Sequence, residues 1–144
     1  MKHSIYLSGS IERSLDPYTW RDNFNIKLKG LYNVIIPREY TPPFEKDDEK
    51  YKKWVYETFI IPDIQDVLKS EYFFVKVDQA VLDGAGTISE TCVASFYKKK
   101  IVYMVSDGLS PKDLPGWLLG CLWKAKQVKS IEEAIKYYKT LKGK

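Results

Sequence analysis

Short apolar runs alternate with longer stretches of helical spacing along the chain. Ser4-Ile5-Tyr6-Leu7-Ser8 is apolar and stopped by Gly9, which predicts a buried strand opening into a loop at its carboxyl end. Residues 17 to 30 place Trp20, Phe24 and Leu28 four apart between Pro17 and Gly30, the signature of a helix with a start and a stop. Val34-Ile35-Ile36 predicts a second strand closed by Pro37. From Asp47 to Ser70 the spacing is helical, but Pro62 removes an amide donor and predicts a split near Ile61, leaving Asp63 at the start of a new turn.

Tyr72 to Val77 reads as a third strand and Asp78 to Gly86 as a loop. Residues 87 to 98 then read as a helix with an apolar stripe of Ile88, Cys92, Val93 and Phe96, which leaves Glu90 off the stripe. Ile101 to Val105 is a fourth strand. A loop with Gly108, Pro111 and Pro115 leads to a short helix around Trp117 to Leu122. Lys126-Gln127-Val128 is a short fifth strand before a last helix from Ser130 to Leu141, capped by Ser130 with Glu132 and Glu133 in its first turn.

Strands alternating with helices at this spacing imply an α/β chain, a parallel sheet of about five strands with helices on both faces, built as a single domain over residues 1 to 144. No internal repeat or low-complexity segment interrupts it. Such sheets bind ligands outside the carboxyl ends of their strands, where the chain order reverses. The Gly9-Ser10 loop, the Asp78 to Gly86 loop and the start of the Glu90 helix all fall on that edge.

Composition narrows the chemistry. The single histidine, His3, is too little for a His-based metal site or most His-dependent acid/base schemes, so carboxylates must carry any proton or nucleophile work. The net charge of +4 comes from lysines interleaved with acids, as in Glu45-Lys46-Asp47-Asp48-Glu49-Lys50, which reads as solvated surface rather than a nucleic-acid footprint. There is no apolar run long enough for a membrane span. Cys92 and Cys121 sit in apolar patterns and suggest reduced thiols in a cytoplasmic protein. Eleven tyrosines and four tryptophans exceed what a small core needs, and predict aromatic lining of a pocket or interface.

One stretch poses the functional question, Asp83-Gly84-Ala85-Gly86-Thr87-Ile88-Ser89-Glu90. Thr87 to Glu90 fits a capping box, in which the glutamate folds back on the Thr87 amide. The alternative is that Glu90 does chemistry. A glutamate in a first helical turn feels the positive end of the helix dipole, which favours its ionised form and suits nucleophilic attack better than proton donation. The glycines before it leave room for a substrate, and Asp63 or Asp83 is available as a second carboxylate to act as the acid.

Read together, Ile5-Tyr6-Leu7-Ser8-Gly9-Ser10-Ile11, the Trp20-Arg21 pair, Asp63 ahead of Val67-Leu68-Lys69-Ser70, and Gly86-Thr87-Ile88-Ser89-Glu90 followed by Ala94 resemble the nucleoside 2-deoxyribosyltransferases and related nucleotide N-glycosidases. The resemblance covers most of residues 4 to 105 and implies a flavodoxin-like or Rossmann-like sheet. It implies that Glu90 is the nucleophile on the anomeric carbon, that Tyr6 orients its carboxylate, and that Asp63 handles the proton of the base. Asp83 falls near a second family aspartate at the base, although its spacing to Glu90 is one residue longer.

By the same resemblance Ser8, Gly9, Ser10, Gly86 and Thr87 border the substrate, and no cofactor or metal is expected. The partners implied are nucleosides and free nucleobases, in a homo-oligomer, a dimer or larger, whose neighbour completes the site. Each residue also has a plain reading: Tyr6 as strand packing, Asp63 as a helix-start acid, Asp83 as a turn residue, Ser8 to Ser10 as a tight turn, Trp20 as core. Cys92 departs from the family, which often carries a glycine there, and residues 106 to 144 align only loosely. The rival expectations are a hydrolase of 2-deoxynucleoside 5-monophosphates, with Arg13 beside Ser8 and Ser10, and a non-catalytic nucleotide-binding module.

Overall fold

The computed structural model describes residues 2–37, 41–106 and 108–142. Five parallel strands form the sheet: β1 (Ser4–Ser8), β2 (Asn33–Ile35), β3 (Tyr72–Val77), β4 (Lys100–Val105) and β5 (Lys126–Val128). Their spatial order is β2-β1-β3-β4-β5, so the chain runs outward from β1 to β2 and then crosses back to β3 on the other side. The reversal point lies between β1 and β3, where Tyr6 is in register with Phe73 and Ser8 with Val75. Sheets of this order bind ligands at the carboxyl edge of that gap.

Two apolar layers sandwich the sheet, and the twofold alternation along each strand assigns residues to them. Ile5 and Leu7 face one layer with Phe74, Phe24, Leu28, Ala134 and Tyr138, contributed in part by helices α1 (Thr19–Leu28) and α7 (Ile131–Lys142). Tyr6 and Phe73 face the other, with Val67, Val81, Ala94 and Leu118. These last four come from α3 (Ile61–Lys69), α4 (Gln79–Leu82), α5 (Gly86–Phe96) and α6 (Gly116–Cys121). Both Tyr6 and Ser8, two apart on β1, therefore point toward the α3 and α5 side. Among the described residues no helix is long and apolar enough to cross a membrane.

Several local expectations shift. The inward face of α1 is Arg21, Phe24 and Leu28, with Trp20 half-buried beside it, so a charged residue takes the core position read as Trp20. Gly30 sits at φ 88, the left-handed conformation that ends the α1 segment at little steric cost. The segment between Asp78 and Gly86 is not all loop: Asp78 caps the short α4 by accepting from the Val81 amide at 3.0 Å.

Around Pro62 the helix is not broken but widened. Helix α2 (Glu49–Val55) runs into a π-helical turn, Tyr56–Ile60, and then α3. Pro62 has no N–H for the Thr58 carbonyl, and the Ile61 amide reaches back five residues to the Tyr56 carbonyl. That extra residue per turn rotates everything after it, and Asp63 is in the first turn of α3.

The stripe expected on α5 holds only in part: Ile88 and Val93 pack, partly buried, against the core and Cys92 is partly buried, but the inner face of the helix is centred elsewhere. Its buried residues are Thr87, Thr91 and Ala94, while Phe96 is 80% exposed. Small side chains let the helix lie close to the sheet, and the Thr91 hydroxyl is satisfied within the helix by the Thr87 carbonyl at 2.8 Å. Glu90 lies three residues after Thr87 and four before Ala94, so this rotation carries it toward β1.

Candidate active site

The Glu90 carboxylate is held from two places on β1. The buried Tyr6 hydroxyl donates to Oε2, and the Ser8 hydroxyl donates to Oε1 at 2.9 Å. Both carboxylate oxygens are engaged 82 or more residues away in sequence, and the helix begins at Gly86 with no side-chain cap. The capping-box geometry is therefore absent at this end. A box with Ser110 and Asp113 forms instead at the turn Pro111–Asp113.

Glu90 also stands in the second turn of α5 rather than the first, which weakens the dipole argument. Burial raises its pKa, and the hydrogen bonds from Tyr6 and Ser8 and the charge of Arg21 pull against that rise without cancelling it. The expectation of an unraised pKa is corrected accordingly: loss of water outweighs a dipole that fades within a turn. Tyr6 is raised as well, by burial and then by the Glu90 and Asp63 charges, so its phenol remains a donor.

Asp63 is partly buried, and its pKa is pushed up to about 7, first by burial and then by the charges of Glu90 and Asp66. The π-helical turn and β1 thus bring a proton-holding carboxyl within electrostatic reach of the Tyr6-bound one. Two carboxyls with separate environments, one fixed by hydroxyl donors and one with its pKa near neutrality, are an arrangement that can supply a positioned carboxylate and a general acid.

Arg21 carries no role in the sequence reading beyond its place in the Trp20-Arg21 pair. It is fully buried and donates through Nη1 to the Pro17 carbonyl at 2.6 Å and through Nη2 to the Gly9 carbonyl at 2.8 Å. A longer bond runs from Nε to the Leu7 carbonyl at 3.4 Å. This guanidinium ties the loop after β1 to the sheet edge and stacks on Trp20 at 4.6 Å. The sequence signal was an arginine three residues before Phe24, on the face read as apolar.

Gly9 is needed here for space. A Cβ would stand 3.1 Å from Trp20 Cζ2 and 3.2 Å from Arg21 Nη2. At Gly86 a Cβ would meet nothing within 4 Å, so that position opens onto free space. Ser10 is partly buried beside Gly9, and Thr87 is buried on the inner face of α5.

Two expected substrate contacts are placed differently. The Ser8 hydroxyl is committed to Glu90 rather than presented to a ligand. Asp83 is exposed at the end of α4, where its carboxylate accepts from Gln79 Nε2 at 3.1 Å, and it is not joined to the Tyr6, Ser8 and Glu90 group. Arg13 lies against the neighbouring glycine: a Cβ at Gly84 would be 3.8 Å from its Cδ and Nε.

No family model matches the chain. No curated protein matches it in sequence. Solved structures do. The chain is similar to a 2-deoxyribosyltransferase from Bacillus psychrosaccharolyticus, with a TM-score of 0.65 and 17% identity over 93% of this chain and 91% of that one. It is similar to a CMP N-glycosidase from Clostridium botulinum at TM-score 0.54 and 13% identity, over 95% of this chain and 98% of that one. The protein therefore has the α/β fold shared by these two enzymes along nearly its whole length.

Proposed function

We propose that the protein transfers 2-deoxyribose between nucleobases, breaking the N-glycosidic bond through a covalent deoxyribosyl ester on Glu90 and retaining the anomeric configuration. The observation that carries this reading is the Glu90 carboxylate held by the Tyr6 and Ser8 hydroxyls at the reversal point of the sheet. Held in this way, one oxygen has a defined direction, as a nucleophile at a sugar carbon requires. In the first displacement a Glu90 oxygen bonds to the anomeric carbon, while the bond to the base breaks and Asp63 gives its proton to the leaving base. An incoming base then attacks the same carbon, Asp63 takes back a proton, and the ester opens. Two inversions amount to retention.

The absence of a 2-hydroxyl makes the oxocarbenium-like transition state easier to reach, so a positioned carboxylate and one proton donor suffice. Exclusion of water decides between transfer and hydrolysis. In this reading Gly9, Ser10, Gly86 and Thr87 border the sugar, Asp83 lies toward the base, and a neighbouring copy of the chain completes the pocket.

A second reading, hydrolysis of 2-deoxynucleoside 5-monophosphates, rests on Arg13 lying against Gly84 at the same edge, where a cation would face a phosphate. The likeness in fold to a CMP N-glycosidase is compatible with it. Incubation with deoxyinosine or thymidine plus free adenine separates the readings. A new nucleoside supports transfer, free base without exchange supports hydrolysis, and unchanged substrates support a binding module. The same assay with 5-monophosphates separates the substrate classes, and Glu90→Ala must abolish whichever activity is found.

A further inference from the structure

Away from the carboxylates, α5 and α6 bring together the chain's two cysteines. Cys121 Sγ lies 3.2 Å from Cys92 Sγ and donates to it, and Trp117 Nε1 donates to the same Cys92 sulfur at 3.1 Å. Both thiols are free and partly buried. They sit in an open groove of about 700 Å³ whose other walls include Phe96, Tyr97, Trp117 and Gly120. Trp117 is 77% exposed and Phe96 80%, and the cysteines, only partly buried, line the same groove, which is open to solvent.

We propose that Cys92 and Cys121 form a reversible intramolecular disulfide when the protein meets a hydroperoxide, joining α5, which carries Glu90 two residues before Cys92, to α6. The two sulfurs must approach by about 1 Å to reach the bonded separation of ~2.05 Å, a movement within reach of side-chain torsions. Cys92 is the sulfur that attacks. Its Sγ bonds to one peroxide oxygen, the O–O bond breaks, and the departing oxygen leaves as water with the thiol proton, giving a sulfenic acid on Cys92.

Cys121 then resolves it. Burial, followed by the hydrogen bond to Cys92, pushes the Cys121 thiol up to about 11, so it retains its proton. That proton already points at the Cys92 sulfur. As Cys121 Sγ bonds to Cys92 Sγ, the S–O bond breaks and the hydroxide leaves with the Cys121 proton as water. One hydrogen peroxide and two thiols thus become one disulfide and two waters, the sulfurs being oxidised and the peroxide reduced. The two contacts to Cys92 set the order: it is the sulfur that accepts from both neighbours, and Cys121 is the one that donates.

The test is thiol counting on the intact chain before and after hydrogen peroxide. Reduced protein takes up two iodoacetamide groups. Oxidised protein takes up none and is lighter by two hydrogens, with one peptide pair linking Cys92 to Cys121, and dithiothreitol restores both thiols. Cys121→Ser stops at a sulfenic acid on Cys92 that dimedone traps, while Cys92→Ser gives no adduct on Cys121 at the same exposure. Retention of both alkylatable thiols overturns the proposal, as does oxygen gain without the linkage or a disulfide between two chains. Equal dimedone trapping at Cys121 in the Cys92→Ser variant overturns the order of attack.

Discussion

Replacing Asp63 by asparagine removes a carboxyl whose ionisation the folded chain opposes. In the fold it titrates near 7, against 3.8 when exposed, because burial and the charges of Glu90 and Asp66 oppose its ionisation. A folded pKa above the unfolded one means that the folded state binds the proton more tightly. The stability it contributes is fully present below about pH 3.8 and is lost as the pH rises through about 7. Taken at face value the loss is about 4 kcal/mol, each pH unit being worth ~1.36 kcal/mol. The side chain is only partly buried, and screening by water reduces this to about 2 kcal/mol.

Asparagine has nearly the same shape and no charge at any pH, so Asp63→Asn should leave stability at pH 4 close to the parent's, whatever constant offset the amide introduces. At pH 8 it should gain about 2 kcal/mol on the parent. Urea unfolding at the two pH values, followed by tryptophan fluorescence, reads this as a relative rise in the midpoint of about 1 M. The pH dependence of the difference is what matters, since it cancels the offset. If parent and variant keep the same difference at pH 4 and pH 8, Asp63 does not hold a proton near neutrality and its assignment as an acid fails.

Three further outcomes follow from the same geometry. With a protonated Asp63 as donor, kcat/KM for deoxynucleosides should fall tenfold per pH unit above about 7, and this limb should vanish in Asp63→Asn along with most of the activity. Tyr6→Phe leaves one Glu90 oxygen without its donor, which should weaken folding by roughly 1.5–3 kcal/mol and, by raising the Glu90 pKa further, move the acidic limb of the rate profile to higher pH. An unmoved limb would refute the coupling. Gly9→Ala forces a methyl to within 3.1 Å of Trp20 and 3.2 Å of Arg21, and should lower the Tm by about 3–8 °C, corresponding to ~1–2 kcal/mol. An unchanged Tm would show that the loop after β1 has slack.

The strands, their alternation with helices and the edge on which a ligand would lie were legible from the sequence, because these depend on period and on local stop signals. Ser4 to Ser8 and Tyr72 to Val77 needed no more than an apolar run bounded by turn residues. Pro62 announced its own irregularity through a missing donor. What it could not announce was whether the helix would break or take up a π turn, since that depends on whether the Tyr56 carbonyl finds another amide.

Glu90 shows where local reasoning stops. Within residues 87 to 90 a capping box and a held nucleophile have the same sequence, and hydrophobicity favours Ile88, Cys92, Val93 and Phe96 as the inner stripe. The fold turns the helix so that Ile88 and Val93 only flank the inner face and Phe96 lies outside. Thr87, Thr91 and Ala94 are small enough to lie against the sheet, and two hydroxyls on β1 stand ready for a carboxylate that has lost its water. Local pattern therefore determined the strands and the longer helices, though not the short α4, while packing between segments more than 80 residues apart decided which way Glu90 faces. The orientation of a helix is set by the contacts it makes with the sheet, and those contacts form only once the chain has closed on itself.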